Sequence, residues 1–241
     1  MYFSAQSLRN RIFGEEQPEK SFMIFFAFSL RFLGVLCVSA VSLYPEIIDR
    51  IDATVDSQVI TRSRILDAIR VTAFLNGENP DFTPANRRKT ADRLIEQLLV
   101  RREMDLTRYA QPGASEVQDT MKQVRARFDS ADAFRRALAA ARIAESDLEA
   151  ALLRQTALLR FIDLRFRPEV QVQEGDVMRF CENVYVPALR EKGVTPVPTA
   201  ESVQPQCEEE YTARLVDSRV DAWLKDTRER SRITYREDAF Q

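Results

Sequence analysis

The chain has 241 residues, a formal net charge of −2 at pH 7 and no histidine. Without histidine it lacks the usual general base, the commonest metal ligand and every serine–histidine or cysteine–histidine nucleophile arrangement. Its six glycines form neither the GxxxxGK nor the GxGxxG pattern of a phosphate-binding loop, which argues against nucleotide-driven chemistry. Almost all of the 35 basic residues are arginine, but acidic residues are interleaved with them, unlike the one-signed patch of a nucleic-acid-binding protein. The composition therefore predicts a globular protein that binds neither nucleic acid nor a cofactor.

A hydrophobic segment, residues 21–43, lies near the start of the chain and is interrupted by Arg31. We interpret it as an export signal in which Arg31 ends the basic region and small residues at 38–40 allow cleavage. Residues 1–40 would then be removed, and the mature protein would be periplasmic. The alternatives are an uncleaved helix that anchors the protein in the inner membrane, facing the periplasm, and translation that begins at Met23.

Residues 46–63 predict a strand, a tight turn, a second strand and the start of a helix. Apolar and polar residues alternate in the first part of this segment, as in a half-buried strand. Turn-forming residues follow at 56–58, and either Thr61 or Ser63 can cap the next helix. That helix is expected to end at the C-cap residue Gly77.

Further helix starts are indicated by capping residues, each followed by apolar residues at helical spacing. The predicted N-caps are Thr83 (with Pro84 in the first helical position), Ser115, Ser130 and Ser146. The helix that begins near Ser146 is expected to stop at Pro168.

The last third of the chain begins with a predicted helix over residues 174–190, which Pro187 would kink. Residues 193–206 are rich in proline and polar residues, which indicates a linker. A further helix over residues 208–230 and a short strand over residues 233–235 are predicted after it.

The segment EIIDRIDATVDSQVITRS, residues 46–63, resembles the opening of the SurA-like periplasmic chaperones. Three later segments, RRKTADRLIEQLLVRREMDL, LEAALLRQTALLRF and VDAWLKDTRERSRITY, resemble helices and the C-terminal helix and strand of that family. The resemblance implies a mainly α fold with a small β-hairpin, residues 47–55 onward, completed by the strand at 233–235. Residues 41–192 and 207–241 would then form one non-contiguous chaperone domain.

In many members of this family a parvulin prolyl isomerase domain lies where this chain has residues 193–206. No domain fits there, because even small domains need about 50 residues, and the family's isomerase site relies on histidine. The resemblance therefore implies an ATP-independent holdase, not an enzyme, whose partners are unfolded exported or outer-membrane proteins. The membrane would be a partner only if residues 21–43 stay uncleaved. The alternatives are a membrane-anchored assembly module and a divergent foldase of the isomerase family.

Bulky apolar residues near predicted helix ends are our candidates for a client-binding groove: Phe128, Phe134, Met178, Phe180 and Tyr185. Core packing is the alternative role for each of them. No metal site is predicted.

Cys181 and Cys207 are the two cysteines that the chain would keep after cleavage of the export signal. An even pair in an oxidising compartment suggests a disulfide. Two free buried thiols are the alternative.

Overall fold

A computed structural model describes residues 49–109 and 113–241. The predicted export signal and its cleavage site lie outside the described residues. The strands are β1 (Ile51–Val55), β2 (Gln58–Thr61) and β3 (Ile233–Tyr235), and the helices are α1 (Arg62–Asn76), α2 (Pro84–Leu106), α3 (Ala114–Arg125), α4 (Ala131–Ala141), α5 (Glu145–Phe166), α6 (Glu174–Phe180), α7 (Val186–Glu191) and α8 (Gln204–Arg230). Short 3₁₀ helices at Arg167–Glu169 and Glu201–Val203 and a π-helical segment at Cys181–Tyr185 connect them. The predicted mainly α fold with a small sheet is confirmed.

The three strands form an antiparallel sheet in the order β2-β1-β3. The turn between β1 and β2 requires a positive φ at Asp56, 51°, a conformation that aspartate tolerates better than most residues. Strand β3 pairs with β1 in a register that sets Ile233 opposite Val55 and Tyr235 opposite Ala53. The predicted return of the C-terminal strand to the hairpin is thereby confirmed, and β1 is the central strand.

Three of the predicted N-caps are confirmed, because Thr61, Thr83 and Ser130 each accept a hydrogen bond from a backbone N–H in the first turn of the following helix. The predicted caps Ser115 and Ser146 are wrong. Helices α3 and α5 each begin two residues earlier than predicted, and their N-cap positions, Gly113 and Ala144, make no side-chain hydrogen bond.

Acidic residues take the place of a capping side chain in these two helices. The first turn of α3 contains Glu116, and that of α5 contains Glu145 and Asp147. A carboxylate in the first turn interacts favourably with the positive end of the helix dipole.

The helix predicted over residues 174–190 is interrupted by the π-helical segment Cys181–Tyr185 before it continues as α7. In this segment the backbone N–H of Val186 donates to the carbonyl of Cys181, five residues earlier. Pro187 follows immediately, and a proline ring clashes with the carbonyl four residues before it in a regular α-helix. The wider π turn accommodates the proline where the sequence predicted only a kink.

The predicted linker is shorter than residues 193–206, because α8 begins at Gln204 and is preceded by the 3₁₀ helix Glu201–Val203. Pro205 lies in the first turn of α8, where a proline has no hydrogen-bonding N–H to lose. The sequence prediction placed a helix breaker where this proline in fact starts a helix.

The main core lies between the sheet and helices α1, α2, α5 and α8. Its largest fully buried side chains include Ile60, Ile65, Ile95 and Phe166. Two smaller cores flank it, one between α1, α3, α4 and the first half of α5, and one between α6, the π-helical segment and the start of α8. Residues on both sides of the predicted linker therefore contribute to one core.

Candidate functional site

A cavity of about 330 Å³ opens between α1, α2 and α5, close to the residues that connect α4 to α5. Its apolar wall is formed by small and medium side chains, among them Ala68, Val71, Leu94, Ala150 and Ala151. The two alanines lie half-buried on α5, and their small side chains keep this helix from filling the space. The cavity is therefore a consequence of alanine at these positions of an otherwise leucine-rich helix.

A second cavity of about 80 Å³ adjoins the first and is also lined by Arg64, Gln97, Arg154 and Leu158. Arg93 lines only the larger cavity and Arg101 only the smaller one. We call the two together the arginine cleft, defined by the side chains of Arg64, Arg93, Arg101 and Arg154 around the apolar wall described above. The cleft runs along the groove between α2 and α5.

Positive charges influence one another across the cleft. Partial burial lowers the pKa of Arg64, and the like charges of Arg154 and Arg101 lower it further. The side chain of Arg154 is exposed to solvent, but neighbouring protein atoms still desolvate it and lower its pKa. The positive charge of Arg101 lowers this pKa further, whereas the carboxylate of Asp147 raises it. Burial lowers the pKa of Arg93 to about 10. The lowered pKa values of Arg64, Arg93 and Arg154 still leave these three side chains charged at neutral pH.

The arginines of the cleft have few partners. Across residues 49–109 and 113–241, Arg64, Arg101 and Arg154 form no ion pair, whereas Arg62 and Arg167 elsewhere in the chain bind carboxylates. The buried Arg93 donates a 3.4 Å hydrogen bond to the hydroxyl of Thr90. The cleft can thus supply several guanidinium groups to an anionic ligand next to an apolar surface.

The five predicted groove residues do not form one groove, which corrects the sequence prediction. Phe128 and Phe134 pack against each other and against Phe74 in the core near α4, with ring centroids 5.4–6.2 Å apart. Phe180 and Tyr185 belong to the separate core near α6. The physical reason is aromatic packing, since Phe134 is only 2% exposed and Phe180 only 8%.

Met178 is half-buried on α6, and neither it nor the four aromatic residues line the arginine cleft. The sequence analysis did not predict the residues that line the cleft, although the spacing of polar residues on α2 indicated some of them. Arg93, Gln97 and Arg101 follow one another at four-residue spacing beside the apolar stripe, which places their polar side chains on one side of the helix.

Cys181 and Cys207 form a disulfide with their Cα atoms 5.4 Å apart, and both are fully buried. The bond joins the π-helical segment to α8. Phe180 and Tyr211 pack next to it with ring centroids 5.4 Å apart, and the guanidinium of Arg214 lies 4.8 Å from the centre of the Phe180 ring. The disulfide therefore fixes the small third core to the long C-terminal helix.

The described part of the chain contains no group of three or more histidine, cysteine, aspartate or glutamate side chains arranged to hold a metal ion. Of the helices within residues 49–109 and 113–241, none has the length and apolar character of a membrane-spanning segment. Comparison with protein-family models and with curated proteins returned no match.

Proposed function

We propose that this protein is a SurA-like, ATP-independent chaperone of the periplasm that holds unfolded exported proteins and does not catalyse prolyl isomerisation. The observation that carries the proposal is the arginine cleft, an accessible space that offers an apolar wall beside unpaired guanidinium groups. An unfolded polypeptide presents both apolar and charged side chains, so such a cleft suits short segments of many different chains.

The size of the cleft supports weak and reversible binding. Its larger cavity, about 330 Å³, lies at the small end of the range of about 300–1,000 Å³ for ligand pockets, which is room for a few side chains. Burial of apolar surface contributes about 25 cal/mol per Å² before the costs of ordering the client are subtracted. Contacts on this scale dissociate thermally, so release needs no nucleotide.

The architecture and the disulfide also support the proposal. The pairing of β3 with β1 agrees with what the resemblance to SurA-like chaperones implies. A buried disulfide between Cys181 and Cys207 suits an oxidising compartment, as expected for an exported protein. The complete absence of histidine argues against a parvulin-type isomerase site.

Aggregation of a denatured outer-membrane protein after dilution, followed by light scattering with and without an equimolar amount of this chain, tests the proposal. We expect the chain to suppress the scattering. The variant Ala151→Trp, which places a large side chain in the cleft, should weaken the suppression. Ala140→Trp on the exposed side of α4 is the matched control and should act like the unmodified protein.

Unchanged aggregation in the presence of the unmodified chain would refute the chaperone proposal. Equal suppression by both tryptophan variants would show that clients bind elsewhere on the molecule. An isomerase assay on a proline-containing tetrapeptide should give only the uncatalysed rate, and activity comparable to that of a parvulin would contradict the absence of catalysis.

A further inference from the structure

The arginines of the arginine cleft come from three different helices and line two adjoining cavities. Arg93 and Arg101 lie eight residues apart on α2, which corresponds to about 12 Å along the helix axis. Arg64 from α1 and Arg154 from α5 line both cavities, whereas Arg93 and Arg101 each line one of them. The positive charge thus extends along the groove and is not concentrated at one point.

The carboxylates near the cleft do not neutralise these arginines. Asp67 and Asp147 line the larger cavity, and Asp67 already binds Arg70 on its own helix at 2.6 Å. Asp147 favours the charged form of Arg154 without forming an ion pair with it among the described residues. The smaller cavity is lined by arginine, glutamine and apolar side chains.

Partly desolvated like charges destabilise a folded protein unless an opposite charge compensates them. Several partly buried arginines elsewhere in the described part of the chain do have such compensation. Arg62 binds Asp52 at 3.1 Å, Arg167 binds Glu209 at 2.8 Å and Arg102 binds Asp56 at 2.7 Å. The positive charge of Arg101 instead lowers the pKa values of Arg64 and Arg154, and none of these three arginines pairs with a carboxylate among the described residues, so a ligand can supply the opposite charge.

We propose that the arginine cleft binds extended polypeptide segments in which glutamate or aspartate alternates with apolar residues. In an extended strand, side chains two residues apart lie about 7 Å apart on one face. Two carboxylates at this spacing fit within the stretch of about 12 Å between the two arginines of α2, while an apolar residue of the same segment reaches the wall formed by Ala150 and Ala151. The inference rests on the proposed chaperone function in taking an unfolded chain as the occupant.

Fluorescence anisotropy with two labelled peptides tests the inference. The first is a soluble peptide in which glutamate alternates with leucine, and the second has glutamine in place of each glutamate. We expect the glutamate peptide to bind about tenfold more tightly, since charge-assisted arginine–carboxylate hydrogen bonds are roughly twice as strong as neutral ones. Added salt should reduce the difference.

The double variant Arg64→Gln/Arg154→Gln should bind the two peptides equally. Its midpoint of urea unfolding should not fall, because the substitutions remove repulsion between like charges. Arg190→Gln, an exposed position on α7 outside the cleft, removes one positive charge elsewhere and should leave the tenfold preference intact.

The outcomes separate this inference from the proposed function. Equal binding of both peptides by a protein that suppresses aggregation would overturn the inference and leave the chaperone proposal standing. A glutamate preference that the double variant abolishes, in a protein without effect on aggregation, would support the acidic-segment site and refute the chaperone proposal. Tighter binding of a single-stranded RNA oligonucleotide than of the glutamate peptide would overturn the inference.

Discussion

The guanidinium of Arg62 holds the fully buried carboxylate of Asp52 through two hydrogen bonds, of 3.1 Å from Nε and 3.2 Å from Nη2. The same Nη2 donates at 2.8 Å to the carbonyl oxygen of Ala239, and the backbone N–H of Arg236 donates to the carbonyl of Asp52. One side chain at the start of α1 thus connects the central strand to the segment that follows β3.

Replacement of Asp52 by asparagine should lower the free energy of unfolding by about 2–4 kcal/mol, because it leaves a partly buried arginine without its counter-charge. Urea denaturation measures the loss. Asp119→Asn, which removes an exposed partner of Lys122 on α3, is the control and should cost less than about 1 kcal/mol. Losses of equal size in the two variants would contradict a structural role for the buried pair.

Tyr235 ties β3 to α2 through both its ring and its hydroxyl. The hydroxyl donates to Asp92, and the guanidinium of Arg88 lies 3.4 Å from the centre of the ring. Partial burial and the carboxylate of Asp92 raise the pKa of Tyr235, which keeps the hydroxyl protonated as a donor. The hydrogen bond from Tyr235 to Asp92 therefore persists at neutral pH.

Tyr235→Phe should cost about 1 kcal/mol of unfolding free energy and Tyr235→Ala about 2–3 kcal/mol. Hydrogen exchange at the β1 amides should accelerate in the alanine variant, since its partner strand is loosened. Thr234→Ala, at the exposed neighbouring position of the same strand, should stay within about 0.5 kcal/mol of the unmodified protein. An effect of Thr234→Ala as large as that of Tyr235→Ala would argue against this account.

Loss of the disulfide should destabilise the protein by about 3.5 kcal/mol, the value expected for a cross-link between cysteines 26 residues apart. The urea midpoint should fall on addition of reductant, and the Cys181→Ala/Cys207→Ala variant should have a midpoint that no longer responds to reductant. Mass spectrometry after alkylation of the native protein supplies an independent measurement. Alkylation of both Cys181 and Cys207 without prior reduction would contradict the bond.

Phe166 offers a test of the main core with an optical readout. Its ring lies 5.6 Å from that of Trp223, the single tryptophan of the chain. Phe166→Ala should cost about 3–5 kcal/mol and shift tryptophan emission to longer wavelength as water reaches the indole. Leu164→Ala, on the same helix but 64% exposed, should change neither property appreciably. A similar red shift in both variants would contradict the prediction that Phe166 in particular shields Trp223 from water.

The sheet could be predicted from the sequence because the residue patterns that define its strands are local and periodic. Alternating residues around Ala53, turn residues at Asp56 and a short β-branched run at Ile233 define the strands, and the resemblance to SurA-like chaperones indicated which of them would pair. Capping at Thr61, Thr83 and Ser130 was likewise readable, since each cap depends on residues within one helical turn.

The arginine cleft could not be predicted, because it depends on which helix faces remain uncovered after packing. Arg64 and Arg154 lie far apart in sequence and approach each other only when α1 and α5 pack on α2. The same dependence on packing explains why the aromatic residues named as groove candidates lie in two separate cores. Phe134 lies next to Phe74 and Phe128 once α4 packs on α1, and the residues adjacent to Phe134 in sequence do not indicate these contacts.

The central position of β1 has a consequence for biosynthesis. The backbone N–H of Arg232, beside β3, donates to the side chain of Asp56, beside β1, across 176 residues of chain. At a translation rate of about 5–20 residues per second, the ribosome needs roughly 9–35 s to make that stretch. For this interval one edge of β1 presents unsatisfied backbone groups, so the nascent protein itself is prone to aberrant strand pairing until β3 has been synthesised.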